Sequence, residues 1–318
     1  MIRMKLFPSK ESYFSYISRL SFMEKQSSSD RIFLLGMILS MTCWGFSWTS
    51  GKILSAYGSP LSISFLRFAL TFVSLVFIVL AMKTKFIVDR KGLRDLFIAS
   101  ILISVYTILF FKGLTTGKAG AGGVLVTVLN PIIAYGIMLK LNRRKPTRNE
   151  GIGLILGLIA GIILLKLFTD PLNILSAGNI YFLLAAFSWA ILSFFTSRES
   201  RYGSPLTFSF WMYGISTVVL CLFSGIQTPL DIMAKGDSTF WFNLFFSSTI
   251  TTSLATTFYF FATSKIGASQ ASSFIFMVPF SAALGSWIFL NEQPQAHTMI
   301  GGVLGIAAVY ILNKKSSV

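Results

Sequence analysis

Along the chain, long apolar runs alternate with short polar connectors, and no apolar run shows a two-residue rhythm. A helix crosses the hydrocarbon core of a bilayer with about 20 apolar residues at about 1.5 Å rise each. That ruler predicts ten spans, over about 32–51, 61–82, 94–111, 120–139, 151–168, 179–198, 206–225, 240–261, 270–290 and 298–313. Continuous apolarity selects helices over a lipid-facing barrel, whose strands alternate. The expected fold is therefore all-α, a polytopic membrane protein whose connectors are too short to hide a further domain. Residues 1–30 carry mixed charge and a Ser27–Ser29 run, with no apolar core long enough for a signal peptide. They read as a cytoplasmic tail, either an interfacial helix through Phe14, Ile17 and Leu20 or a loose segment before an alternative start at Met23. Residues 314–318 form the other tail.

Charge then orients the spans. Of the 27 Lys and Arg residues, 21 fall on the side that holds both termini, 5 on the opposite side, and Arg67 lies inside a span. Cytoplasmic loops carry such an excess, so both termini are expected in the cytoplasm, with the chain in the cell (inner) membrane. The net charge of +16 is on this reading a topology signal and not a nucleic-acid patch.

Composition narrows the class further. Only 12% of residues are charged and 54% are hydrophobic, against about 25% charged in soluble domains. A soluble two-domain enzyme, a disordered chain and a secreted disulfide scaffold are poor readings of such a composition. Cys43 and Cys221 lie in apolar runs and read as small buried side chains, giving neither a disulfide framework nor a metal cluster.

The chain also repeats itself. Tyr57-Gly58-Ser59-Pro60-Leu61 with Ser64-Phe65 recurs as Tyr202-Gly203-Ser204-Pro205-Leu206 with Ser209-Phe210, and Trp44 meets Trp189 at the same offset of 145. At an offset of 148, Pro131 meets Pro279, Pro146 meets Pro294, Gly153 meets Gly301 and Gly157 meets Gly305. The units are 31–170 and 171–313. Each holds five spans, an odd number, so the second enters the membrane from the opposite side. Inverted repeats of this kind serve alternating access around a central site.

The residues resemble a known family. Trp44-Gly45-Phe46-Ser47 resembles the opening of the first helix in the drug/metabolite transporter superfamily, ten-helix EamA-type branch. Pro60 with Arg67 resembles that family's second helix. Ala119 to Pro131 and Gly267 to Pro279 resemble its fourth and ninth, and Leu290-Asn291-Glu292 with Pro294 and Gly301 resembles its last loop signature. In the first copy Arg144 stands where Glu292 stands in the second. The resemblance implies two EamA-like five-helix repeats that export or exchange a small organic metabolite, with an amino acid or related compound as the expected substrate.

Candidate site residues follow from polar or aromatic groups at midspan. Trp44 and Trp189 are equivalent and lie away from the helix ends where Trp belts form. With Ser47 and Trp48 one turn on, they either line a cavity or pack the halves together. Asn130 precedes Pro131, which leaves a carbonyl without its usual donor, and Thr127 shares that face; a substrate site is favoured over helix–helix adhesion. Arg67 is expected to gate or brace, ahead of contacting substrate. Pro279 and Glu292 join Pro131 as gating or structural positions. Gly153, Gly157, Gly161, Gly301 and Gly305 form small-residue stripes that read as packing within each half, with a homodimer interface left open. The opening glycines Gly120, Gly122 and Gly123 present N–H groups that suit a carboxylate.

Glu292, Glu150, Glu199 and Asp95 fall at connectors or helix ends, so no midspan carboxylate offers a proton relay. No catalytic constellation, cofactor motif or metal-ligand cluster is present in the sequence. The function expected is a carrier for a small molecule in a lipid environment, with no nucleic-acid partner. An intramembrane lipid-modifying enzyme, or a channel or lipid scramblase, are the rival classes.

Overall fold

The computed structural model describes residues 33–141, 143, 145–175, 178–266 and 274–313. The two tails, Arg144 and the opening of the ninth run at Gly267 lie outside the described residues. Among those described, every regular element is helical. Helix α1 spans 33–54, and α2 (Pro60–Ala81), α3 (Leu93–Thr116), α4 (Ala119–Leu141) and α5 (Arg148–Leu164) complete the first half. The second half comprises α6 (Asn179–Thr196), α7 (Pro205–Ser224), a short connecting α8 (Gln227–Lys235), then α9 (Ser238–Phe245) and α10 (Thr256–Ile266). It closes with α11 (Met277–Leu290) and α12 (Ala296–Asn313).

Five helical stretches are each long and apolar enough to cross a bilayer, Pro60–Ala81, Arg90–Thr116, Ala119–Lys140, Asn179–Arg201 and Pro205–Ser224; Phe274–Leu290 and Ala296–Leu312 are shorter and also apolar. Large apolar side chains such as Phe77, Leu158, Leu222 and Val303 stand exposed around the bundle. In water that surface would be a liability, whereas lipid is its natural solvent.

The starts of the helices follow from local chemistry. Ser59 and Ser204 cap α2 and α7, accepting the N–H groups of Ser62 and Leu206, and a proline occupies the first turn of each. Thr147 and Glu150 form a reciprocal capping box at α5. Between α9 and α10, residues Phe246–Ala255 wind as a π-helix, so the eighth span is one rod with a wide middle. Pro131 sits inside α4. Pro279 falls in the first turn of regular α11, after a 3-10 turn over Phe274–Phe276, where a missing N–H costs nothing.

Contacts reveal how the halves relate. A Cβ on Gly153, near the start of α5, would meet Leu312 and the Ala308 carbonyl near the end of α12. One on Gly301, near the start of α12, would meet Leu164 and the Ala160 carbonyl. These are the same contacts with the copies exchanged, made between antiparallel helices, as an inverted two-fold relation requires. The stripes were expected to pack within each half. Gly157 does so, against Ile132, and Gly161 against Leu129, but Gly153, Gly301 and Gly305 (against Val128) face the other half. Equivalent positions Phe68 and Tyr213 touch across the pseudo-axis, with ring centroids 4.9 Å apart.

The two Tyr-Gly-Ser-Pro turns consequently lie at opposite ends. Tyr57 bonds Asp237, whereas Tyr202 bonds Asp95 and packs on Gly92, beyond the far end of α2. A helix of 22 residues separates them by about 33 Å. The bundle therefore has a Tyr57 end and a Tyr202 end.

Candidate substrate site and the end cavity

Arg67 is built into α2 one residue before the pseudo-axis pair and is 9% exposed. Its Nη2 donates to Thr252 Oγ1 at 3.2 Å, and its guanidinium lies 5.3 Å from the Phe110 ring and 6.0 Å from Phe111. Cation–π contact of this kind gains strength when water is excluded. Tyr106 and Tyr213 lie within electrostatic range of the charge. Among the described residues the Arg67 Nε, although buried, has no hydrogen-bond partner.

The predicted tryptophans gather round this group by relay. Trp48 packs edge-on to Phe110 at 4.7 Å, and Phe110 is the ring beneath Arg67. Trp189 packs on Tyr106 at 4.5 Å. Trp44 donates its indole N–H to the Thr251 carbonyl at 3.2 Å, next to the threonine that holds Arg67, and its ring lies 5.3 Å from Tyr259. Each of Trp44 and Trp189 thus leans on the third span of the opposite half. Ser47 turns back on its own helix and donates to the Trp44 carbonyl.

Thr127 likewise donates to Gly123 O at 2.6 Å. Gly123 packs against Trp48 and Ala282, and Thr127 and Asn130 follow it on the same face of α4 at helical spacing. Asn130 Oδ1 is buried without a partner among the described residues. Pro131 also leaves the Thr127 carbonyl without its usual donor. Asn130 stands apart from the contacts that join Arg67 to the tryptophans.

One large contributor is absent from the predicted set. Six of the seven residues from Ser247 to Ser253 carry hydroxyls, and the π-helix turns most of them inward: Ser247, Ser248, Thr251, Thr252 and Ser253 are buried. Ser74 and Thr249 hydroxyls meet at 2.7 Å, Ser253 donates to the Thr71 carbonyl, and Ser248 Oγ has no partner. In lipid such a run demands internal partners, and π-bulges gather at functional positions. Hydroxyl density inside an apolar span was the available signal.

Acidic groups at the helix ends are more enclosed than their sequence positions imply. Asp95, Glu150 and Glu199 are 2%, 9% and 8% exposed. Asp95 accepts from Tyr202 and lies 3.8 Å from Arg198, while Glu150 accepts from Tyr135 and from the Thr147 N–H. Cys43 and Cys221 are free and only half-buried, short of the burial expected.

At the Tyr57 end, Glu292 Oε2 accepts the Gly120 N–H at 3.2 Å, so the carboxylate that the α4 start attracts comes from the chain's own last loop. Burial pushes the Glu292 carboxyl above its ordinary pKa, opposed by the Gly120 and Ala119 N–H groups and by Lys52 and Lys118. Lys52 itself donates to the carbonyls of Leu114 and Gly117 at 2.5 and 2.9 Å. Glu292 borders a cavity of about 190 Å³, whose inner wall includes Phe182. Trp44, Ser47, Trp48, Thr127, Asn130 and Trp189 are not among its lining residues.

With that geometry in place, similarity to known proteins fixes the class. The model of the EamA-like transporter family matches residues 31–166 and again 176–314. The chain belongs to that family and is a multi-pass membrane protein of a transporter lineage. It is similar to the uncharacterized transporter YoaV of Bacillus subtilis (strain 168), 25% identical over 283 residues, covering 87% of this chain and 95% of that one. It is also similar to the chloroplastic WAT1-related protein At3g02690 of Arabidopsis thaliana, 24% identical over 213 residues, 64% of this chain and 50% of that one. One solved crystal structure shares the fold with a TM-score of 0.59 at 15% identity, covering 89% of this chain and 96% of its own.

Proposed function

We propose that the chain is an alternating-access carrier that exports or exchanges a small amphipathic metabolite, an amino acid or related compound, and that it performs no catalysis. The observation that carries this reading is Arg67. A cation beside the pseudo-axis, walled by aromatic rings and held on one side by Thr252, keeps its Nε unpartnered. A buried donor without an acceptor is costly, and a substrate carboxylate would supply the acceptor while Phe110, Tyr106 and Trp48 cover an apolar body. Asn130 Oδ1 offers an acceptor of its own, suited to an ammonium or amide hydrogen.

The units that rock against one another are 31–170 and 171–313. The excess of Lys and Arg supports a cytoplasmic Tyr202 end, cytoplasmic termini and residence in the inner membrane. Counterflow in proteoliposomes tests the carrier reading: internal unlabelled amino acid should accelerate entry of the labelled compound. Entry that is indifferent to internal substrate would mark a pore and defeat the proposal.

A further inference from the structure

The cavity at the Tyr57 end is assembled from three connectors and has chemistry of its own. Lys118 and Lys166 stand on its rim, and among the described residues neither ammonium has an ion-pair or hydrogen-bond partner. Glu292, the acid among the lining residues, already accepts the Gly120 N–H. Below the rim the walls turn apolar, with Leu125, Leu164, Phe182 and Ala283. Asn179, Gln293 and Gln295 also line the cavity. The volume of about 190 Å³ suits a compact solute.

The inner wall is also a barrier. Phe182 is 1% exposed, with its ring slotted between Gly113 and Gly122, where a Cβ on either glycine would approach it to 2.4 or 2.5 Å. Its inner side meets Trp48 at 5.8 Å, and Trp48 meets Phe110, the ring under Arg67. Three aromatic rings, Phe182, Trp48 and Phe110, therefore lie in series between the cavity and the central cation.

We propose that this cavity is a second binding site, distinct from Arg67, for a small solute with one carboxylate and a short apolar body. Lys118 and Lys166 receive the carboxylate, and Leu125, Phe182 and Ala283 receive the body. The carrier reading adds only that the solute pauses here before or after passing the Phe182–Trp48 barrier; binding itself stands without it.

A thiol placed in the wall by Ala121→Cys, in a full-length Cys43→Ser, Cys221→Ser background, reports the site directly. In purified protein, the anionic sulfonatoethyl methanethiosulfonate should label that thiol about tenfold faster than the cationic trimethylammonioethyl reagent, relative to their rates with a free thiol, because a cationic cleft concentrates anions. Millimolar 4-methylpentanoate should slow labelling, and 3-methylbutylamine should not. Lys118→Gln with Lys166→Gln should abolish both the preference and the protection, and Lys118→Arg with Lys166→Arg should keep them. Arg67→Met, which weakens transport on the carrier reading, should leave every one of these rates unchanged. Equal rates for the two reagents, protection by the amine, or a thiol that neither reagent reaches would each overturn the site, whatever counterflow shows.

Discussion

Tyr57 donates its hydroxyl hydrogen to Asp237 Oδ1 at 2.7 Å, tying the turn before α2 in the first half to the start of α9 in the second. The Tyr202 hydroxyl makes the reciprocal bond to Asp95 Oδ2 at 2.9 Å at the other end. Arg198 and Arg94, at 3.8 and 3.6 Å from Asp95, reinforce that second bond. Rocking of the halves must break one of these ties at a time. Tyr57→Phe should shift the resting population a few-fold toward opening at the Tyr57 end, and Tyr202→Phe toward the Tyr202 end. Spin-label distances across each end read the shift, and equal responses at both ends would count against the ties acting as latches.

The Tyr57 tie also has a predicted pH limit. The Asp237 carboxyl is held below its ordinary pKa, first by the Phe240 N–H and then by the Tyr57 hydroxyl. A depressed acid contributes its stabilisation above the ordinary aspartate value and loses it as pH falls through the lowered one. The Tyr57 end should stay closed at pH values where an exposed aspartate has begun to protonate, and open only below them. Asp237→Asn, which keeps a capping oxygen, should remove that acid transition in the same distance measurement.

At Glu292 the sign is reversed. Its carboxyl is raised by burial, so it takes up a proton at a higher pH than an exposed glutamate, and its ionised form costs stability above that point. Protonation therefore relieves that cost and secures the start of α4, outweighing the weaker acceptance of the Gly120 N–H by a neutral carboxyl. Protection of the Gly120 N–H from hydrogen exchange, taken relative to the intrinsic slowing of exchange in acid, should rise on mild acidification, and Glu292→Gln should flatten that dependence. Protection that falls or stays level in the natural sequence would refute it.

Crowding at the α5–α12 seam gives a stability test. Gly153→Ala or Gly301→Ala places a methyl against a leucine and against backbone carbonyls at 3.0 and 3.1 Å, which cannot retreat as side chains do. Each should cost about 1–3 kcal/mol, read as a lowered melting temperature of the purified protein. Because either change pushes the same two helices apart, the double variant should lose less than the sum of the singles.

The reach of the sequence is uneven for physical reasons. Apolar run length and the Tyr-Gly-Ser-Pro duplication report directly on solvent and on copy number, and the ten runs are helical over most of their described length. Partner choice is another matter. Gly153 and Gly157 are the same residue four positions apart, yet one meets Leu312 of the other half and the other meets Ile132 of its own; hydropathy cannot tell two apolar neighbours apart. The aromatic positions Trp44, Trp48 and Trp189 stood out because an indole at midspan is unusual, whereas Phe110 and Tyr106, which connect them to Arg67, are ordinary members of aromatic-rich runs. The π-helix escaped because no residue type marks one in sequence; in it the Thr252 and Ser253 hydroxyls donate to carbonyls five residues back, and Thr252 also receives Arg67. The short α8 was likewise hidden in a connector that apolar run length does not resolve.

Arg67 carries the sharpest expectation. Its helix buries the charge at a place where Met212, the equivalent residue of the other half, needs no counter-charge, so bundle symmetry does not demand a cation there. If the guanidinium only braced α2 against the π-helix, Arg67→Met would lose the Thr252 bond, relieve a buried charge, and leave transport close to normal. If its Nε receives substrate, the same variant removes a charge-assisted bond of about 1.5–3 kcal/mol, and affinity should fall roughly 10- to 100-fold while the amount of folded protein in the membrane stays unchanged. Arg67→Lys separates charge from geometry, because an ammonium has no Nε and cannot present the guanidinium's fixed fork. It should retain folding and recover only part of the affinity. Transport kinetics measured beside a melting curve decide the matter: near-normal transport in the Met variant would return Arg67 to a bracing role, whereas a fall in affinity with an unchanged melting curve places the substrate against it.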